Sequence, residues 1–174
     1  HTMVSELPLG WKQKLAFSAA IFHNPRIVFL DEPTGGVDPI ARRQFWEMIY
    51  EAADSGITVF VTTHYMEEAS NADHVVIINK GKIVAEGTPA ELKDKYSYDR
   101  LKIVPKDKTK IVSSLKSIDR AYEKIADQYI ITVEDATDAI YLIELLKDNI
   151  KQFEVLMGTM DDVFINVVGG EINA

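Results

Sequence analysis

Ile27-Val28-Phe29-Leu30-Asp31-Glu32-Pro33 joins a short apolar run to two adjacent carboxylates. Four consecutive apolar residues ahead of a turn are typical of a strand that is buried on both faces of a parallel sheet. Such a strand would present Asp31 and Glu32 at its carboxyl end, where open α/β sheets bind their ligands. The stretch therefore predicts an α/β fold with an acidic site at one edge of the sheet.

A helix is predicted directly after this stretch. Asp38 is a favourable N-cap residue and Pro39 suits the first helical position, so we expect the helix to run to about Asp54. One face of this helix would carry Trp46, Ile49, Tyr50 and Ala53.

Two further strands complete the pattern of the first half. Residues 57–61 and 74–78 are mostly apolar and predict strands, and the segment between them predicts a helix that begins near Tyr65. The order strand, helix, strand, helix, strand is typical of a parallel α/β sheet. Residues 79–85 then predict a tight turn with an antiparallel hairpin strand, and residues 88–91 form a capping box that begins another helix.

The pattern changes around residues 95–99, and we predict a domain boundary there, between residues 1–95 and 96–174. Beyond it we expect strands at 101–104, 121–125, 129–133 and 153–157, and helices at 109–117, at 137–147 and from Met160. The order β-α-β-β-α-β is that of a ferredoxin-like domain. The expected fold is therefore a partial parallel-sheet α/β core followed by a small α+β domain.

The composition limits the function classes. The 174 residues are 47% hydrophobic and 26% charged, as in soluble globular proteins, and no apolar run approaches the roughly 18 residues of a membrane helix. The net charge of −8 argues against a general nucleic-acid binder, because such proteins cluster Lys and Arg. The absence of cysteine excludes disulfides and thiolate chemistry. His1-Thr2-Met3 is unlike a natural start and is interpreted as a tag scar joined to a fragment.

Asp31, Glu32 and His64 are the residues most suited to catalysis. An aspartate at a strand end can hold Mg²⁺ partly through water, and a second carboxylate can polarise an attacking water molecule. His64 follows Thr62-Thr63 at the end of the next strand and should emerge at the same sheet edge, where it could donate to a phosphate oxygen. The alternative is a pair of solvated carboxylates at the start of a turn.

These residues resemble the nucleotide-binding domains of ABC transporters. Leu30 to Thr34 is similar to the Walker B strand, residues 35–38 to the D-loop and His64 to the switch histidine, and the resemblance extends from Leu7 to about Glu91. The roles it implies are Mg²⁺ binding for Asp31, water activation for Glu32, γ-phosphate contact for His64 and crosstalk across a dimer for Asp38.

Residues 7–15, with the sequence LPLGWKQKL, occupy the position of the signature motif of that family. The resemblance implies that Gly10 and Trp11 face the ATP of a partner subunit, at a helix N-terminus that favours an anion. Pro8 and Leu9 stand where the family has serine and glycine, so we expect a weaker phosphate contact. The alternative is a loop before an amphipathic helix that packs inward through Trp11, Leu15 and Ala19.

No G-x-x-x-x-G-K-[ST] segment occurs in the 174 residues, so the phosphate-binding loop is missing. Because the chain begins where the signature motif begins, we expect truncation rather than degeneration. The chain by itself should bind ATP poorly and be inactive as an ATPase.

The C-terminal residues 158–164, GTMDDVF, resemble the tail of ABC-2-type exporter ATPases. Thr159 could cap a helix that carries Asp161 and Asp162 in its first turn and directs Val163 and Phe164 to the core; a generic capped helix explains the stretch equally well.

The resemblance implies an ATP- and Mg²⁺-dependent subunit of an exporter, which hydrolyses ATP at a head-to-tail dimer interface. Its implied partners are a second nucleotide-binding domain, in a homo- or heterodimer, and an integral-membrane permease, with no nucleic acid. Its implied location is cytoplasmic, at the inner face of the cell membrane. Two alternatives stay open: a soluble ABC-family ATPase of DNA repair or translation, and a C-terminal module for dimerisation or regulation.

Overall fold

The computed structural model of the chain describes residues 3–170. They form two compact units, which divide between Tyr65 and Met66. His1 and Thr2, which begin the segment interpreted as a tag scar, lie outside the described residues.

The first unit contains a two-stranded parallel sheet and two long helices. After a 3-10 turn at Val4–Glu6, its elements are α1 (Leu9–Ile21), β1 (Ile27–Asp31), α2 (Pro39–Asp54) and β2 (Thr58–Thr62). β1 and β2 run parallel, with Ile27 opposite Thr58 and Asp31 opposite Thr62. The α/β class and both predicted strands are confirmed, and the two strands end at the same edge of the sheet.

The core of the first unit joins the two helices to the sheet. Its buried members are Phe17, Val28, Phe45, Trp46, Ile49 and Ala52. Of the four residues predicted to share a face of α2, Trp46 and Ile49 are buried, whereas Tyr50 and Ala53 are exposed. The buried face is turned toward Phe45, whose ring lies 5.4 Å from that of Phe17, because α2 packs against α1 as well as against the sheet.

α1 does not pack inward through the residues that its alternative interpretation required. Trp11 is 63% exposed and Leu15 is 47% exposed, Ala19 is also exposed, and Phe17 is the buried residue of the helix. The interpretation of residues 7–15 as a loop ahead of an inward-facing helix is therefore wrong.

The second unit begins with a short helix and a β-hairpin. Its first elements are α3 (Met66–Ala69), β3 (Val75–Asn79), β4 (Lys82–Gly87) and α4 (Pro89–Tyr96). β3 pairs antiparallel with β4 in a sheet of two strands, so the expected third parallel strand is wrong. Lys80 and Gly81 both have positive φ, 48° and 75°, as in a type I′ turn, and this tight connection pairs β3 with β4.

The remaining elements of the second unit form a four-stranded antiparallel sheet with helices. They are β5 (Asp99–Pro105), α5 (Lys108–Ser117), β6 (Glu123–Ile125), β7 (Gln128–Val133), α6 (Ala136–Leu146), a 3-10 turn (Lys147–Asn149), β8 (Ile150–Leu156) and α7 (Met160–Gly170). The strand order β6-β7-β5-β8 confirms the predicted ferredoxin-like arrangement. Its core consists of Leu101, Ile103, Ile111, Leu115, Tyr129, Ile131, Val133, Ala139, Leu142 and Leu146.

α7 packs against the hairpin and α4. Met160 and Val163 are buried in one cluster with Ile77, Ala85 and Leu92, whereas Phe164 is partly exposed and only Val163 fulfils the expectation for that pair. This packing places residues 66–98 in the same compact unit as the ferredoxin-like sheet. The predicted domain boundary between residues 95 and 96 stays a prediction. Within residues 3–170, no helix is both long enough and apolar enough to cross a bilayer.

Candidate functional site

The paired ends of β1 and β2 bring Asp31 and Thr62 together. The two residues are opposite each other in the register, and the Thr62 hydroxyl donates to the Asp31 carboxylate. The next backbone N–H, that of Glu32, donates to Thr62 at two oxygens: the side-chain oxygen at 3.2 Å and the carbonyl oxygen at 3.1 Å. Thr62 therefore fixes the orientation of Asp31 and the point at which the chain leaves the strand.

Glu32 occupies an unusual backbone conformation. Its φ is +46°, in the left-handed region, which costs a non-glycine residue about 1–2 kcal/mol. The turn that follows is stabilised by hydrogen bonds from the Gly35 N–H to the Glu32 carbonyl at 3.1 Å and from the Val37 N–H to the Thr34 carbonyl at 3.2 Å. Strained residues of this kind are concentrated at functional sites.

His64 and Glu32 are in direct contact. His64 Nδ1 lies 2.7 Å from Glu32 Oε2, with the two side chains 65% and 40% exposed. For an ionised Glu32 this contact requires a hydrogen on Nδ1; a neutral imidazole then leaves Nε2 as an acceptor, and an imidazolium makes Nε2 a second donor. The structure therefore brings Asp31, Glu32 and His64 to one sheet edge, as the sequence predicted.

Asp38 caps α2 as expected. Its Oδ1 accepts hydrogen bonds from the backbone N–H groups of Ile40 and Ala41, each at 3.0 Å, and the side chain is exposed. This cap satisfies two of the donors that a helix N-terminus leaves without intrahelical partners. Asp38 therefore stabilises the start of α2. Its role across a dimer stays a prediction, because no contact within this chain tests it.

Gly10, Trp11 and Asp38 line one pocket. It measures about 340 Å³ and is completed by Pro8, Lys14, Ile40, Ala41 and Gln44. The Lys14 ammonium lies 5.5 Å from the centre of the Trp11 ring and also donates to the Gln44 side-chain oxygen.

Pro8 is the N-cap of α1 and makes no side-chain cap hydrogen bond. The proline therefore lies outside the helix, and its missing N–H removes no donor from the first turn. The replacement of serine by Pro8 consequently removes a hydroxyl but leaves the N–H groups of Leu9 and Gly10 at the helix start.

Three residues near the site were not assigned from the sequence. The sequence places Thr62 at a strand end, and its position opposite Asp31 follows from the parallel pairing. Tyr65 and Arg42 form a contact beside His64: the Arg42 guanidinium lies 4.3 Å from the Tyr65 ring, which is 4.1 Å from the His64 ring. No sequence signal links residue 42 of one helix to residue 65 of a loop.

The residues present are compatible with Mg²⁺. Among residues 3–170 no group of three or more His, Asp or Glu side chains could form a metal site made entirely of protein ligands. Mg²⁺ is usually held by one or two carboxylates, with water and substrate phosphates as its other ligands, and the single Asp31 carboxylate meets this pattern.

Comparisons with known proteins agree with the resemblance. Residues 87–168 match a family model described as "ATP-binding protein DrrA1-3-like, C-terminal domain". Residues 3–70 match one described as "AAA domain, putative AbiEii toxin, Type IV TA system".

The relatives are ATP-binding proteins of ABC transporters and of drug export. The chain is 50% identical over 94 residues to the "Probable multidrug ABC transporter ATP-binding protein YbhF" of Escherichia coli, covering 54% of this chain and 16% of that protein. It is 28% identical over 173 residues to the "Fluoroquinolones export ATP-binding protein MT2762" of Mycobacterium tuberculosis, covering 99% and 53%. Among solved structures, the "Structure of ATP binding subunit of ABC transporter" is 27% identical, covering 55% and 40%, with a TM-score of 0.48.

The chain thus spans about half, or less, of the length of the relatives it matches. The matches cover both the segment with the carboxylates and histidine and the C-terminal segment. The chain is therefore similar, in both segments, to ATP-binding proteins of ABC transporters and of drug export.

Proposed function

We propose that this chain is the part of an ABC exporter's ATPase subunit that activates water for ATP hydrolysis. The observation that carries the proposal is the 2.7 Å contact between His64 Nδ1 and Glu32 Oε2 at the carboxyl ends of two adjacent parallel strands. The names of the relatives, which refer to multidrug transport and fluoroquinolone export, support the exporter class.

The chemistry assigned to each side chain follows from its position. Glu32 would accept a hydrogen bond from the attacking water and orient it, because phosphoryl transfer depends mainly on positioning and charge stabilisation. His64 would donate from Nε2 to a γ-phosphate oxygen, which requires the imidazolium form while Nδ1–H stays on an ionised Glu32. Asp31, oriented by Thr62, would hold Mg²⁺, which when bound supplies positive charge to the phosphates.

Nucleotide binding would add a hydrogen-bond partner to both Glu32 and His64. In the chain alone Glu32 Oε2 is engaged by His64. A water in line with the γ-phosphate must share that carboxylate, while His64 gains a phosphate acceptor on its other nitrogen. The pair would therefore be a resting arrangement that holds both side chains near their working positions.

The pocket at the start of α1 would take part in trans. Gly10 and Trp11 would approach nucleotide held by a second nucleotide-binding subunit, and Asp38 lines the same pocket. An integral-membrane permease would be the further partner, at the cytoplasmic face of the cell membrane. The helix N-terminus provides N–H donors and a favourable dipole for an anion.

The test is hydrolysis by a full-length protein in which this sequence follows a G-x-x-x-x-G-K-[ST] segment. Glu32→Gln should retain ATP binding and lower turnover about 100-fold or more, the contribution expected of a general base. Glu67→Gln changes an exposed glutamate in α3 and is the matched control, which should hydrolyse ATP at the wild-type rate. Preserved turnover in Glu32→Gln would refute the assignment of the base.

A further inference from the structure

A column of three side chains runs from α2 to the histidine of the site. The Arg42 guanidinium lies 4.3 Å from the centre of the Tyr65 ring, and the Tyr65 ring centre lies 4.1 Å from that of His64, with a tilt of 35°. His64 also contacts Glu32, with Nδ1 lying 2.7 Å from Oε2. We call Arg42, Tyr65 and His64 the aromatic column.

Two members of the column, Arg42 and Tyr65, have hydrogen-bonded backbone N–H groups. The Arg42 N–H donates to the Asp38 carbonyl at 2.9 Å, within the turn of α2 that Asp38 caps. The Tyr65 N–H donates to the Thr63 hydroxyl at 3.0 Å. The backbone at both residues is therefore held independently of the ring contacts, and the tyrosine ring contacts both the guanidinium and the imidazole.

His64 needs such a support because its side chain is 65% exposed. One hydrogen bond fixes one ring atom, but it leaves the imidazole able to rotate about its bonds. A flat ring packed against the imidazole removes that freedom, and a cation over a ring is itself a favourable contact. A guanidinium is particularly suited to this task because it is planar and stacks on aromatic faces.

We propose that Tyr65 is a positioning residue that holds the His64 imidazole toward Glu32 and the phosphate, and that Arg42 holds Tyr65 in place. This proposal rests on the proposed function, because it assigns Tyr65 a role in the same hydrolysis. It also links the capped start of α2 to His64 through side chains alone.

The first experiment observes the imidazole in this chain without any nucleotide. The carbon-bound ring hydrogens of His64, assigned by their loss in His64→Gln, should show the displacement that a stacked aromatic ring causes. Tyr65→Leu should move these signals toward their positions in the urea-unfolded chain, and Tyr65→Phe should leave them near the wild type. Tyr141→Leu, at an exposed tyrosine of α6, is the matched control and should leave them unchanged.

The second experiment measures turnover in the full-length protein. Tyr65→Leu should lower kcat roughly three- to tenfold with little change in KM, the effect of releasing one immobilised side chain. Tyr65→Phe should restore most of the rate, and Arg42→Gln should lower it by less than Tyr65→Leu. If Tyr65→Leu does not fold by circular dichroism, Arg42→Gln provides the test in both experiments.

The outcomes separate this proposal from the proposed function. Unchanged His64 signals in Tyr65→Leu would overturn the column whatever the activity. Shifted signals with an unchanged kcat, beside a Glu32→Gln variant that is inactive, would overturn the positioning role and leave the proposed function standing. Turnover that persists in Glu32→Gln would overturn the proposed function, while the His64 signals would still report whether the column exists.

Discussion

Gly10 packs directly against Ala41. A Cβ added to Gly10 would lie 2.9 Å from the Ala41 Cβ and 3.2 Å from Val37 Cγ1, closer than side chains normally approach. The glycine that the family resemblance assigns to phosphate binding therefore also lets the start of α1 contact the start of α2.

Gly10→Ala should destabilise the chain. Overpacking costs about 1–3 kcal/mol, and the better helix propensity of alanine offsets about 1 kcal/mol of it, so we expect a net loss of up to about 2 kcal/mol in urea unfolding. Gly169→Ala in α7 is the matched control, because a Cβ there meets nothing within 4 Å. Adding Ala41→Gly to Gly10→Ala should recover part of the loss, and equal stabilities for the Gly10 and Gly169 variants would contradict the packing.

Thr62→Val should weaken the sheet edge and the site together. The substitution keeps the shape but removes the hydroxyl that donates to Asp31 and accepts from the Glu32 N–H. Each such hydrogen bond contributes about 0.5–1.5 kcal/mol, so the loss of both should lower the free energy of unfolding by about 1–3 kcal/mol. In the full-length protein, hydrolysis should need more Mg²⁺ to reach half its maximal rate.

Thr58→Val is the control for that change, because Thr58 is an exposed residue at the other end of the same strand. It should leave both the unfolding free energy and the Mg²⁺ requirement unchanged. Equal effects of the two substitutions would show that the Thr62 hydroxyl has no special part in orienting Asp31.

The sequence was sufficient for features that depend on local chemistry. Asp38 before Pro39 predicted the start of α2, and the cap hydrogen bonds to Ile40 and Ala41 confirm it. The contact of His64 with Glu32 could be foreseen because parallel strands end at one edge of a sheet.

Features that depend on which strands and side chains of the chain contact each other could not be predicted from the sequence. Residues 75–79 form a strand as expected, but an apolar run does not specify its neighbour, and the tight turn at Lys80 and Gly81 pairs it with β4. The orientation of Trp11 was equally open, because a tryptophan at the start of a helix suits either a core or an exposed pocket. The column of Arg42, Tyr65 and His64 depends on tertiary structure alone.

Asp162 should make the second unit sensitive to acid. Burial by itself raises the pKa of Asp162, but hydrogen bonds from the Thr159 backbone and hydroxyl, together with Arg100, outweigh it and hold that pKa below its ordinary value of 3.8. Because the folded-state pKa is the lower one, the carboxylate stabilises the folded chain above about pH 4, and this stabilisation is lost as the pH falls through the folded-state pKa.

Asp162→Asn should therefore unfold at lower urea than the wild type at pH 7, and the difference should shrink as the pH is lowered below 3.8. Asp161→Asn, which alters an exposed aspartate in the same first turn of α7, is the control for the helix dipole. A difference between wild type and Asp162→Asn that stays constant from pH 7 to pH 3 would contradict the depressed pKa.

Phe29 and Phe60 should make the chain self-associate. Their rings stack on the exposed face of the β1–β2 sheet with centres 5.1 Å apart and an angle of 13°, and they are 76% and 54% exposed. Contiguous exposed apolar surface of this kind promotes association. Phe29→Ser combined with Phe60→Ser should lower the mass measured by light scattering at high concentration, at a cost in stability of about 0.5–1.5 kcal/mol for the lost ring pair.

Phe22→Ser replaces an exposed phenylalanine just after α1 and should leave the mass unchanged, because it does not alter this pair. If the double variant associates as strongly as the wild type, the stacked pair is not the surface through which the chain self-associates.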